Sequence, residues 1–311
     1  MKPDDWSLQP GDFADVRRHA RLALEGAGGL GRFPTPVSDV MDHAKVSLAE
    51  EDALDEVFLT KLHRKAGAAL RRALSKVRGV LDAVARIAYI DRTLHVVKQT
   101  FLKLHETAHA ILPHQRSLYA IVEDCDMTIA PDVSEQFDRE ANVFAAEVLF
   151  QLDSFIEESR SKPFGIRVPM DLSKKYGASI YASIRQYVAK NHHACAVLVI
   201  EPPEPRAPTG FTAALRRVVA SQDFERRFGE MDWPDSFTPY DDIGAIIPVG
   251  GRRMSRPRPL VLMDRNGDRN ECIAESFTQG HQVFVLVHCV ATLSRKTIVL
   301  PPIANTAQSR A

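Results

Sequence analysis

His105, Glu106, Thr107, Ala108 and His109 follow one another in the chain. Two histidines four residues apart, with a glutamate directly after the first, suit a helix that binds zinc and hydrolyses a peptide bond. Residues i and i+4 lie one above the other on a helix, so both imidazoles can reach one ion. Glu106 is turned by about 100° from His105, near enough to act on a water at the ion without being a ligand. Two neutral imidazoles and one carboxylate would leave zinc with residual positive charge, which acidifies water. Glu106 would take the proton as the peptide carbonyl is attacked, then pass it to the leaving amine. Such a site needs a third protein ligand and an open fourth position, so a second element with an acidic residue or a histidine must lie close by.

The elements around the motif are legible in outline. Residues 100–112 carry a helical pattern, anchored by Leu102, Ile111 and Leu112 and stopped by Pro113. The segment 113–131 reads as loop at both ends. A second helix is expected over 133–150, capped by Asp132 with Glu135 three residues on. Before the motif, residues 86–97 read as two short strands or one bent strand. Such a strand offers an edge on which an extended peptide substrate could pair.

The second helix contains Asp138-Arg139-Glu140-Ala141-Asn142-Val143-Phe144-Ala145-Ala146. With this segment beside the first motif, the chain resembles the ImmA/IrrE family of metallopeptidases. Members carry H-E-x-x-H on one helix and E-x-x-A-N-x-F-A-A on the next, and the glutamate completes the zinc site. The likeness covers about residues 30–200 and implies one zinc per chain, held by His105, His109 and Asp138, which occupies the glutamate's position. Aspartate is one methylene shorter, so the helices must approach more closely or Glu140 must substitute. Glu140 lies about 200° round the helix from Asp138 and is expected to face solvent beside Glu147. Asn142, one turn after Asp138, is placed to support the site. Tyr89, His114 and Tyr119 are candidates to stabilise the oxyanion. Ala108 stands where the family often has glycine, and the proline that often follows the second motif is absent.

The resemblance further implies a zinc-dependent endopeptidase that acts as an antirepressor, cutting or inactivating a helix-turn-helix repressor of the Xre type. The other reading is a metal-bound regulatory module with little hydrolytic activity, acting through protein or nucleic-acid contact. The intact Glu106 favours the peptidase.

The rest of the 311 residues frames these expectations. Apolar residues make up 45% and charged residues 26%, a globular mix. Forty lysines and arginines balance forty aspartates and glutamates, so bulk charge gives no grip on nucleic acid. A basic face over 61–78 and a pair of short helices around Gly177 could touch nucleic acid, but that reading is not favoured. No signal sequence or membrane span is expected, and a cytoplasmic location follows. Cys125, Cys195, Cys272 and Cys289 are scattered without a C-x-x-C pair, as buried or half-buried thiols in a reducing compartment would be. The expected fold is α+β. A mainly helical, zincin-like peptidase domain with a small edge sheet spans residues 1–200, including a long helical insert at 54–84. A proline-rich linker at 201–210 leads to an accessory α+β region at 211–311, rich in strands, that opens with a helix over 211–228.

Overall fold

The computed structural model describes residues 7–49, 79–82, 85–125, 130–251 and 253–290. It is α+β. Helices α1 (Pro10–Gly26) and α2 (Val37–His43) precede a small sheet of β1 (Ser47–Leu48), β2 (Gly79–Asp82) and β3 (Ile87–Ile90). In that sheet β3 is central, parallel to β1 and antiparallel to β2. Of the helical insert expected at 54–84, residues 79–82 form a strand, and 54–78, with the basic face, and 83–84 lie outside the described residues. Leu81 of β2 packs against Met41, Val46, Ala88 and Ala110. The sheet thereby lies against the helix that carries the first motif.

That helix is α3 (Val96–Ile111). His95 caps it, its Nδ1 accepting the Val97 N–H at 3.4 Å. At the other end Leu112 is extended, with φ −68° and ψ 116°, as a residue before proline must be. Pro113 does more than stop α3. It opens α4 (Pro113–Cys125), where its missing N–H is no loss, so the loop expected after residue 113 is a helix. Pro131 likewise opens α5 (Pro131–Leu149), leaving Asp132 in the first turn instead of at the cap. Leu104 and Ala108 of α3 and Ala141, Phe144, Ala145 and Val148 of α5 are all fully buried in one core. The three alanines allow the two helices to approach closely.

The chain continues through α6 (Ser154–Arg160), α7 (Arg167–Tyr176) and α8 (Ile180–Ala189). Gly177, at φ 65°, ends α7, and Ser179 caps α8 by accepting the Ala182 N–H. Ile184, Tyr187 and Val188 sink into the same core. The α7–α8 pair is thus packed structure, with the middle of its second helix unavailable to a DNA groove. No helix among the described residues is long and apolar enough to cross a membrane.

Beyond α8 lie β4 (Cys195–Ile200), β5 (Glu204–Arg206), β6 (Gly210–Ala220), α9 (Gln222–Phe228), β7 (Ser236–Phe237), β8 (Arg258–Met263), β9 (Arg269–Thr278) and β10 (Val283–Cys289). They form a sheet in the order β5-β6-β4-β10-β9-β8, with β7 on β6. This arrangement corrects the expected boundary at 201–210. β4 lies before the proline-rich segment, yet both its neighbours come after it. The segment itself contributes β5, paired with β6, so it is a connection within the sheet. The helix expected over 211–228 is mostly the strand β6, because pairing with β4 overrides the local helical spacing. Along β4, Cys195, Val197 and Val199 face the helical core, while Ala196, Leu198 and Ile200 face a second core. Phe277, Phe284 and Leu286 from the later strands also enter the helical core.

A chain cut after residue 210 would leave both edges of β4 unpaired and its two apolar faces half covered. We expect the 1–210 fragment to show no cooperative thermal transition by circular dichroism and to aggregate. A fragment that melts cooperatively like the full chain would restore the separable accessory domain.

Candidate metal centre

His105 and His109 project from the same side of α3, with ring centroids 5.0 Å apart and planes nearly perpendicular. Their Nε2 atoms face each other at 3.3 Å. Asp138, on α5, brings Oδ1 to 3.9 Å from His105 Nε2. Ligand atoms of all three residues lie within 4.8 Å of one another. Two nitrogens bound to a tetrahedral zinc at about 2.05 Å stand about 3.3 Å apart, the separation seen here. The Asp138 carboxylate would have to close by about 0.6 Å on His105 to match that spacing, and by more on His109, the group as a whole spanning up to 4.8 Å. The aspartate side chain is 34% exposed and that of His105 is 15% exposed, so the cluster is open on the carboxylate's side.

The protonation of both rings is set by their other nitrogens. His105 Nδ1 lies 3.1 Å from Asn142 Oδ1. His109 Nδ1 lies 2.7 Å from Gln115 Oε1. An amide oxygen only accepts, so His109 Nδ1 carries the hydrogen and its Nε2 presents a bare lone pair, and the Asn142 amide as oriented gives His105 the same tautomer. The Gln115 amide cannot turn round, because its Nε2 donates to Glu140 Oε2 at 2.6 Å and to Phe137 O at 3.3 Å. Two lone pairs at this distance repel unless a cation or a proton lies between them. A proton is disfavoured. Burial, then the neighbouring His109, lowers the His105 pKa to about 3, and burial lowers that of His109 as well.

The carboxylates also want a counter-ion. Burial, then Asp138, pushes Glu106 up to about 8. Burial, then Glu135, pushes Asp138 up to about 6. Neither is held down by a lysine or arginine among the described residues. Two bare imidazoles and two underpaired carboxylates fit a divalent cation, and this donor set suits zinc.

The oxyanion candidates separate. The Tyr119 ring packs edge-on against His109 at 5.5 Å. Burial, then the Asp138 and Glu106 carboxylates, pushes its phenol up, so it stays a protonated donor beside the cluster. His114 instead lies 2.6 Å from Glu140 Oε2 with its side chain half exposed. Tyr89 stands on β3 opposite Val80.

Glu140 and Glu147 do not face solvent as expected. Glu140 is buried and bonded to His114, Gln115 and Gln136. Glu147 is buried against Arg17 and Lys190. The core surrounds α5 here, so the side opposite Asp138 is also interior. Sequence reading missed Gln115 altogether. Its one trace is a polar residue in the turn after Pro113, on a helix that the reading did not foresee.

Three measurements follow. The reconstituted protein should hold about one zinc per chain by elemental analysis, and His105→Ala or His109→Ala should abolish this. Asp138→Ala should drop affinity sharply while Asp138→Glu keeps part of it. Gln115→Ala should weaken zinc binding by about 10- to 100-fold, as loss of such an orienting partner does, and Glu140→Ala should weaken it less. Zinc affinity unmoved in Gln115→Ala would show that the His109 ring needs no such support.

No family model matches the chain, and no curated protein matches it by sequence. Among solved structures, a Mycobacterium tuberculosis transcriptional regulator aligns over 89% of this chain and 76% of its own, at 12% identity and a TM-score of 0.48.

Proposed function

We propose that this chain is a zinc-dependent endopeptidase with a zincin-like helical half, of the ImmA/IrrE kind. The observation that carries the reading is the pair of bare Nε2 atoms 3.3 Å apart with the Asp138 carboxylate beside them. His105, His109 and Asp138 would hold the ion. Bound zinc supplies Lewis acidity and makes water a nucleophile near neutral pH.

The chain's own groups divide the remaining work. Glu106 is the general base. Burial makes it a stronger base than an exposed glutamate, so it can hold the proton taken from water and release it to the leaving amine. Tyr119 donates its O–H to the oxygen of the attacked carbonyl as charge develops there. Asn142 and Gln115 keep the two rings turned so that Nε2, and never N–H, faces the ion. The strand expected to offer its edge, β3, is paired on both sides, so an extended peptide would have to lie along β1 or β2 of the small sheet beside α3. The substrate we propose is a helix-turn-helix repressor of the Xre type.

Glu106→Gln should keep its zinc and its fold but lose cleavage of a neighbouring Xre-type repressor, followed by gel electrophoresis and mass spectrometry. Tyr119→Phe should lower kcat by about 100-fold, the usual cost of one oxyanion donor, with KM little changed. Cleavage by Glu106→Gln at the wild-type rate would remove the proposed mechanism.

A further inference from the structure

Away from the metal centre, two thiols meet at the end of the large sheet. Cys272 on β9 and Cys289 on β10 are directly opposed in the antiparallel ladder. Val290 N–H donates to Glu271 O, which makes the adjoining pair the hydrogen-bonded one. Cys272 and Cys289 therefore occupy a non-hydrogen-bonded position, where Cα atoms stand about 4.5 Å apart and side chains come closest. That separation is within the range a disulfide spans. The two Sγ atoms are already 3.4 Å apart, so a bond of about 2.05 Å needs a closure of only about 1.4 Å.

The surroundings favour chemistry at one of the two. Cys289, itself buried at 9% exposure, borders a cleft of about 430 Å³ with His193, Asp223, Arg226, Arg227, Asp264 and Arg265. Cys272 is almost fully buried. A thiolate is the reactive form of cysteine, and positive charge nearby favours it.

We propose that Cys272 and Cys289 form a peroxide-oxidised dithiol site, with Cys289 attacked first from the basic cleft and Cys272 resolving it to a disulfide. In the first step the Cys289 thiolate attacks hydrogen peroxide. An S–O bond forms, the O–O bond breaks, and the hydroxide released takes up the proton that Cys289 shed, giving water. In the second step the Cys272 sulfur attacks the sulfenic sulfur. The S–S bond forms, the S–O bond breaks, and the hydroxyl leaves with the Cys272 proton as a second water. The two thiols lose two electrons and the peroxide gains them.

Arg227 favours the thiolate of both cysteines, and its hydrogen bond reaches Cys289. The 3.4 Å contact between the two sulfurs lets one thiol donate to the other's thiolate. Cys195 is buried and pushed up to about 12 by that burial, which makes it an internal control.

The test uses the full chain, exposed to hydrogen peroxide, alkylated with N-ethylmaleimide and digested without reductant. Mass spectrometry should find the peptides of Cys272 and Cys289 joined, two hydrogens lighter than their sum. Two of the chain's four thiols should be lost, and dithiothreitol should restore them. Cys289 should react at least about tenfold faster than Cys195. In Cys272→Ser, dimedone should trap a sulfenic acid on Cys289, and Cys289→Ser should form neither product. Recovery of both cysteines as alkylated thiols, pairing with another residue or another chain, or first oxidation at Cys272 would overturn the proposal. The wild-type peptide map decides even if a variant misfolds.

Discussion

Two imidazole lone pairs aimed at one point are held there against their own repulsion, and much of the helical half serves that end. One helix supplies both rings, and their orientation is fixed from two others. Asn142 on α5 holds the His105 Nδ1 hydrogen, and Gln115 on α4 holds that of His109. Burial keeps protons off the facing nitrogens. Desolvating these groups costs free energy, and a divalent cation would return it through charge neutralisation. The stored electrostatic cost and an affinity for metal would then be two sides of one arrangement.

The helix that bears Asp138 and Asn142 can sit so deep because its buried glutamates find partners on neighbouring elements. From Glu140 to Leu149 α5 is buried all round. The two glutamates of this stretch are matched in turn. Glu140 meets the Gln115 amide and His114, and Glu147 meets Arg17 of α1 and Lys190 just past α8. Removing a single partner of such a buried ion commonly costs about 3–5 kcal/mol. The Arg17–Glu147–Lys190 cluster therefore helps to hold the helix that carries Asp138, although none of its members belongs to the group of His105, His109 and Asp138.

How much of this could be read from the chain depended on how local each signal was. The spacing of His105, Glu106 and His109 needs only one helix to be meaningful, and the structure faces the two rings as that spacing implies. The Asp138 and Asn142 register rests on the same helical period, and both reach the first motif's side. Gln115 and Glu140 were out of reach, because their partners lie 6 and 25 residues away across a turn hidden behind Pro113. The 201–210 segment misled for a related reason. Its prolines describe a stiff connection correctly, but nothing local tells whether the strands on either side pair with each other. In β6, residues such as Leu215, Val218 and Val219 satisfy helical spacing as well as strand pairing, and only β4 decides between them.

β4 has a consequence for how this protein can have been assembled and how it could be re-engineered. Its odd-numbered side chains belong to the helices and its even-numbered ones to the far layer of the sheet. The helices that carry His105, His109 and Asp138 cannot be transplanted as a cassette ending at residue 194, since they would lose part of their own floor. Nor can the sheet be exchanged for an unrelated module unless the replacement brings a strand whose alternate residues match the helical surface. Recombination between relatives of this architecture would be tolerated at the exposed turn around Asn266 and Gly267, where little packs, far more readily than at the prolines that look like a seam.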